Sequence, residues 1–333
     1  MPYSKVFITR PLPTQLHRLE EVANVEVWPE RQAPPYEILL EKVKNIDGLL
    51  CLLTDQIDQQ LIEAGDTLKV ISQMAVGFDN IDIPTATARR IPVGNTPGVL
   101  TDATADLTWA LLMGAARRLV EADRFVRSHL WQTWEPDLLL GPDIAGATLG
   151  IVGFGRIGQA VARRAKGFDM RIIYTSKHRC NPELEQSLGV EFTNFANLLQ
   201  ISDFVTIHTP LSPETYHLFG AAEFALMKQS AILINTARGG IVNPDALYQA
   251  LRNNEIAGAA IDVTEPEPIP TDSPLLTLDN LIITPHIGSA SRPTREKMAN
   301  MAIDNLIAGL KEERLPNCVN PEVFDTPRSN AII

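Results

Sequence analysis

The chain has 333 residues, enough for two domains that each bury a core, and 45% of them are hydrophobic against 21% charged, the balance of a globular protein. Acidic residues outnumber basic ones, 40 to 29, giving a formal charge of −11; with no Lys and Arg cluster beyond short loops, nucleic acid is excluded as a partner. No apolar run approaches the roughly 20 residues of a membrane span, so no membrane partner is expected.

Short β-branched runs alternate with amphipathic stretches, the pattern of parallel sheets wrapped by helices. In the first hundred residues the predicted strands are KVFIT (5–9), VEVWP (25–29), GLLCLL (48–53) and LKVISQMA (68–75), with helical stretches such as PYEILLEKVKN (35–45) between them. They make one small α/β domain. Residues 101–131 then read as one long helix, with Thr101 or Asp102 as its N-cap. Six further strands follow it: 147–153, 171–176, 203–209, 231–237, 258–263 and 281–286. Six strands match a dinucleotide-binding sheet. A last helix is predicted at 295–313, and the terminal DTPRSNAII is expected to be disordered.

The three cysteines, Cys51, Cys180 and Cys318, are far apart and show no C-x-x-C spacing, so neither a disulfide framework nor a metal site is expected. The opening MPYSKVFITRPLPTQ has no apolar signal region, and a cytoplasmic location is the expectation.

GIVGFGRIGQAVARRAK (150–166) places Gly153, Gly155 and Gly158 in G-x-G-x-x-G register between a strand and a helix. The first glycine permits a tight turn, the second a close approach of backbone to pyrophosphate, and the third close helix–strand packing, while the helix N-terminus offers N–H groups to the anion. An acidic residue selecting NAD belongs at the end of the next strand. The chain has Ser176 there, followed by Lys177, His178 and Arg179. A carboxylate would repel the 2′-phosphate of NADP, whereas this hydroxyl and these cations can bind and neutralise it. NADP(H) is therefore the preferred cofactor, with NAD(H) possible; a basic loop carried for solubility is the alternative.

NTARGG (235–240), DVTEPEP (262–268) and TPHIGSA (284–290) each follow a predicted strand. Together with the glycine loop they resemble the D-isomer-specific 2-hydroxyacid dehydrogenases over nearly the whole chain. WQTWEP, GFGRIGQAVARR, YTSKHR, DALYQAL and DVTEPEPIPTDSPLLTLDN are most similar to the glyoxylate/hydroxypyruvate reductase branch. The resemblance implies two Rossmann-like, doubly wound parallel-sheet domains with the active-site cleft between them. Residues 1–100 and 287–333 would form the substrate domain, and 101–286 an inserted dinucleotide-binding domain. The implied reaction is NADPH-dependent reduction of small 2-oxo acids to 2-hydroxy acids by a homodimer.

By that resemblance Arg238 binds the substrate carboxylate and polarises the carbonyl, His286 donates the proton, and Glu267 pairs with the imidazole and raises its pKa. Singly, each also reads as a surface or structural residue. Val76 and Gly77, in MAVGFDNID (74–82), resemble the loop whose backbone N–H groups receive the carboxylate; an ordinary turn is the alternative. Thr101 would lie beside the nicotinamide, Thr209 and Pro210 on the adenosine side, and Asp262 at the carboxamide. Arg156, Ile157, Thr236, Ala237, Gly288 and His286 complete the implied cofactor contacts. Thr101, Thr209, Pro210 and Asp262 also suit simple caps and turns. Trp134 resembles a residue that reaches the neighbouring subunit's substrate, although Trp131 and Trp134 equally fit core or interface packing.

Two neighbouring readings carry less weight. Phosphite dehydrogenases share the Arg, Glu and His set but resemble a version with Lys before the glycine of VGFDNID, where this chain has Val76. Formate dehydrogenases place Gln where Glu267 stands. A dinucleotide-sensing binding protein similar to the C-terminal-binding protein corepressors would keep the same motifs; against it stand the compact chain and the cation-bearing TSKHR loop.

Overall fold

Two separate all-parallel sheets account for the alternating pattern, and the chain divides into two compact units, 1–100 with 291–333, and 101–290. The computed structural model describes residues 3–325, so the tail beyond Asp325 lies outside the described residues. The return to the first unit falls at Ser291, the N-cap of the last helix, rather than at 287.

In the first unit, β1 (Ser4–Ile8), β2 (Ala23–Val27), β3 (Gly48–Cys51), β4 (Val70–Gln73) and β5 (Val93–Gly94) line up as β2-β1-β3-β4-β5. This is a doubly wound order with its switch point at β1 and β3. Successive residues point to opposite faces. Val6, Ile8, Leu50 and Val70 join Met298, Ala302, Ile303 and Leu306 of the helix Arg292–Leu310. Phe7, Leu49 and Ile71 join Leu39, Leu61 and Ala86 of the helices Tyr36–Val43, Gln59–Ala64 and Ile83–Ala88. Burial on both faces is why these strands read as continuous apolar runs.

In the second unit, β6 (Thr148–Val152), β7 (Arg171–Thr175), β8 (Val190–Phe192), β9 (Phe204–Ile207), β10 (Ile232–Asn235), β11 (Gly258–Ile261) and β12 (Leu281–Ile283) order as β12-β11-β10-β9-β6-β7-β8. The order reverses at β6 and β9, the point where dinucleotides bind in such sheets. One face packs on the helices Thr101–Ala116 and Arg156–Ala165 through Trp109, Leu112 and Val161. The other packs on Leu198, Phe224, Leu247 and Leu251.

Three expectations are corrected. The sheet has seven strands, because the short edge strand β8 pairs with β7. The expected helix over 101–131 is two, Thr101–Ala116 and Leu119–Arg127, broken where Arg118 turns left-handed at φ +49°. No Gly or Pro marks the break; Arg118 closes it by bonding Glu121 through Nε and Nη2 at 2.8 and 2.7 Å. The last helix starts at Arg292, ahead of the expected 295, with Pro293 in its first turn, where a missing N–H costs nothing. Among the described residues no helix is long and apolar enough to cross a membrane.

Candidate active site

The glycine loop leaves β6 through Gly153, which holds φ +93°. A Cβ there would lie 2.5 Å from the carbonyl carbon of His208 and 2.6 Å from the Thr209 nitrogen, so only glycine fits. At Gly158 a Cβ would fall 2.4 Å from the Gly153 carbonyl oxygen, whereas at Gly155 it would meet nothing within 4 Å. The first and third glycines are thus used by packing and the second faces open space. With Arg156 and Ile157 opening the helix Arg156–Ala165, the cradle has the shape and the N–H groups that a pyrophosphate needs. Thr209 and Pro210 follow β9 directly alongside. Burial holds the neighbouring His208 imidazole down to about 3, and its Nε2 lies 2.8 Å from Thr206 Oγ1.

Beyond β7, Ser176 is half-buried and Lys177 and His178 are exposed. No carboxylate occupies the Ser176 position. Arg179, expected as a phosphate ligand, has its fork on Glu185: Nε to Oε1 at 2.8 Å and Nη2 to Oε2 at 2.7 Å. Its guanidinium also lies over the Phe192 ring, 5.5 Å from the centroid. Tyr174 donates to Glu185 Oε1 at 2.6 Å and accepts from the Cys180 N–H at 3.0 Å. Arg179, then Tyr174, hold the Glu185 carboxyl down to about 2. Arg179 is a positioned cation with its charge already shared, which its place in a basic loop did not disclose.

The catalytic candidates stand past the C-terminal ends of β10, β11 and β12. Asn235, buried at the end of β10, accepts from the Ala237 N–H at 3.0 Å and donates to the Arg238 carbonyl at 2.9 Å. This amide sets the turn that presents Arg238, whose Nη1 donates to the Ala237 carbonyl at 2.9 Å. Gly239 packs so closely that a Cβ would fall 2.0 Å from the Thr264 carbonyl oxygen, joining the Arg238 turn to the loop that carries Glu267.

Glu267 Oε1 lies 2.6 Å from His286 Nδ1. An ionised carboxylate only accepts, so Nδ1 carries a hydrogen and Nε2 is the atom left to act on a substrate. His286 adopts φ +53°, a left-handed conformation that costs a non-glycine residue on the order of 1 kcal/mol or more. Asp262 holds it there. This carboxylate, 1% exposed, accepts from Thr284 Oγ1 at 2.6 Å, the Ile287 N–H at 2.8 Å and the Gly288 N–H at 2.7 Å, and its carbonyl accepts from the His286 N–H at 2.9 Å.

Several of the expected site residues also make contacts within the chain. Asp262, expected at the carboxamide, spends three of about four acceptor positions on the His286 loop, and Gly288 faces it. Thr236 is buried with its hydroxyl 2.9 Å from Thr108 Oγ1; Thr108 donates to the Thr104 carbonyl at 2.8 Å, so Thr236 must be the donor to Thr108. Its side chain ties the end of β10 to the helix Thr101–Ala116. Thr101 begins its helix as the first helical residue. Trp134 is 78% exposed, which excludes core packing within this chain. Val76 and Gly77 follow β4 in the first unit. Among the described residues, no group of three or more His, Cys, Asp or Glu side chains is placed to hold a metal. Sequence reading missed Asn235 and Glu185; the only signals were an Asn at a strand end and an acid six residues past Arg179.

Comparison with known proteins gives the family. Residues 109–288 match the family model described as D-isomer specific 2-hydroxyacid dehydrogenase, NAD binding domain. The chain is 52% identical over 325 residues to a glyoxylate reductase of Thermococcus litoralis, covering 96% of this chain and 98% of the relative. A solved structure from Thermus thermophilus superposes with TM-score 0.89 at 47% identity, covering 95% of this chain and 99% of its own. An NADPH-dependent glyoxylate/hydroxypyruvate reductase from Sinorhizobium meliloti, solved with NADP and malonate, superposes with TM-score 0.85 at 29% identity over 96% and 98% of the two chains.

Proposed function

The chain belongs to the D-isomer specific 2-hydroxyacid dehydrogenase family, in its glyoxylate reductase branch, and on that premise we propose that it reduces hydroxypyruvate to D-glycerate and glyoxylate to glycolate, using NADPH in preference to NADH. The observation that carries the reading is the 2.6 Å pairing of Glu267 with His286 Nδ1, on a loop that the buried Asp262 holds in a left-handed turn. It leaves Nε2 as the proton donor to the substrate carbonyl oxygen. Arg238 receives the substrate carboxylate on its planar fork and polarises the adjoining carbonyl. We propose Val76 and Gly77, in the loop after β4, as backbone N–H donors to a carboxylate. A nicotinamide dinucleotide bound at the glycine cradle supplies the hydride.

Ser176 and Lys177 are the primary ligands of the 2′-phosphate in this reading, and Arg179 a secondary one because Glu185 already draws on its charge. The relative solved with NADP supports the choice of cofactor. We also place the enzyme in the cytoplasm, where its three free thiols stay reduced, and assign it a homodimer. The dimer assignment rests on apolar side chains exposed along one segment: Leu119, Val120, Val126, Leu130, Trp131, Trp134 and Leu140. Trp134 then lies at the partner's substrate, as the resemblance implies.

Steady-state reduction of hydroxypyruvate and of glyoxylate, with NADPH and with NADH, tests the proposal. We expect turnover of both acids and at least a tenfold higher kcat/KM with NADPH, about 1.4 kcal/mol in transition-state binding. Equal use of the two cofactors would overturn the NADPH preference alone. Dinucleotide binding without turnover would overturn the reductase.

A further inference from the structure

Three consecutive peptides in the loop after β4 are each tied down by their carbonyl. The Ala75 carbonyl accepts from the Thr96 N–H at 2.9 Å. The Val76 carbonyl accepts from Asn95 Nδ2 at 2.8 Å. The Gly77 carbonyl accepts from Gln73 Nε2 at 3.1 Å. These peptides are trans, and in a trans peptide the N–H points opposite to the C=O. Tying the carbonyls of 75, 76 and 77 therefore fixes the directions of the N–H groups of Val76, Gly77 and Phe78, away from the tethers. Successive backbone N–H groups with fixed directions can serve as donors to an anion.

Two of the tethers are side-chain amides; that of Gln73 is oriented by its other partners, and that of Asn95 by the Val76 carbonyl, which only accepts. Asn80 Nδ2 donates to the carbonyls of Leu52 and Asp55 at 3.1 and 2.8 Å. Its Oδ1 must then face Gln73, whose Nε2 reaches it at 2.5 Å. Gln73 Oε1 accepts from Cys51 Sγ at 3.1 Å. So the two hydrogens of the Gln73 amide go to Asn80 and to the Gly77 carbonyl, and Gln73, fully buried, has no alternative arrangement that satisfies this set. Asn95 is fixed through its own backbone: its N–H donates to the Asn317 carbonyl at 3.2 Å and its carbonyl accepts from Asn305 Nδ2 at 2.9 Å.

We infer that Gln73 and Asn95 are positioning residues for substrate binding: they hold the peptides 76–78 with carbonyls inward and N–H groups outward, ready for the carboxylate of a 2-oxo acid. The inference rests on the proposed reductase reading and deepens it, since neither residue touches substrate itself. It also adds the Phe78 N–H to the expected donors. Losing one tether lets a peptide rotate and costs orientation of the acid before it affects the chemistry or the dinucleotide.

Asn95→Ala removes the Val76 tether and keeps the backbone bonds to residues 305 and 317. Asn95→Asp keeps the shape and turns an acceptor toward the Val76 carbonyl. We expect the KM for glyoxylate to rise about tenfold in Asn95→Ala and further in Asn95→Asp, with kcat changed less than threefold and dinucleotide affinity unchanged. Calorimetric binding of oxalate to the enzyme with dinucleotide bound should weaken in parallel. Oxalate binding needs no turnover, so it separates the two proposals. Wild-type enzyme that binds oxalate but does not reduce glyoxylate would sink the reductase reading alone. Variants that fold, as judged by thermal melting, and keep the wild-type KM and oxalate affinity would overturn the role of Asn95. An Asp variant that behaves as wild type while Ala does not would assign Asn95 to packing, and overturn it equally.

Discussion

Among single residues, the charges that matter are those whose geometry is fixed by a second side chain. Arg179 exposes its charge on the loop after β7, but Glu185 takes its fork and Tyr174 completes the carboxylate's partners. Replacing Glu185 by Gln removes the competing anion while keeping an amide of the same shape. We expect the ratio of kcat/KM for NADPH over NADH to rise by about threefold to tenfold in Glu185→Gln, as the guanidinium charge becomes fully available to the 2′-phosphate. A ratio that falls would mean instead that Glu185 is needed to orient Arg179. Asp262 shows the same logic in the other direction. Its carboxylate accepts from the Thr284 hydroxyl and from two backbone N–H groups around His286, and such bonds leave no trace in residue spacing.

Among elements, what burial dictates was legible and what a partner surface dictates was not. The central strands of both sheets are apolar on both faces, so KVFIT, GIVG and ILIN announced themselves; the edge strand β8, three residues long, did not. The break at Arg118 was hidden because 117–119 contain no helix-breaking residue. The helix beyond it, Leu119–Arg127, is amphipathic and has no buried residue, which is an unfilled apolar stripe within this chain. If that stripe and the segment to Leu140 join two copies, light scattering at micromolar concentration should give a dimer mass. A Val126→Asp, Leu130→Asp double variant should then shift the species toward monomer. A wild-type monomer at that concentration would remove the dimer from the proposal.

For the whole molecule, the order of motifs was enough to place the glycine cradle, Arg238, Glu267 and His286 in one parallel sheet, because each follows a strand whose C-terminal end is fixed by topology. What the order could not supply was the layer beneath: Asn235 under Arg238, Asp262 under His286. Acid stability carries another such hidden term. Burial lowers His208 to about 3 from its ordinary 6.5, so the unfolded chain takes up a proton there at a pH where the folded chain does not. Its contribution is complete above about pH 6.5 and is lost as pH falls toward 3, on the order of a few kcal/mol. In His208→Asn the melting temperature should fall less steeply between pH 6.5 and 4 than in wild type; identical slopes would show that His208 protonates equally in both states.

The first sheet also sets a timetable. Its face formed by Val6, Ile8, Leu50 and Val70 is covered by Met298, Ala302, Ile303 and Leu306, residues that leave the ribosome only after the entire second unit, 101–290, has been made. At about 5–20 residues per second, that is a wait of roughly 10–40 s. Throughout it the nascent chain carries five strands' worth of apolar surface with one side bare, while the unit synthesised later can already close around its own two cores. The part of the enzyme that begins first is therefore the part that finishes last, and it is there that a holding chaperone has most to do.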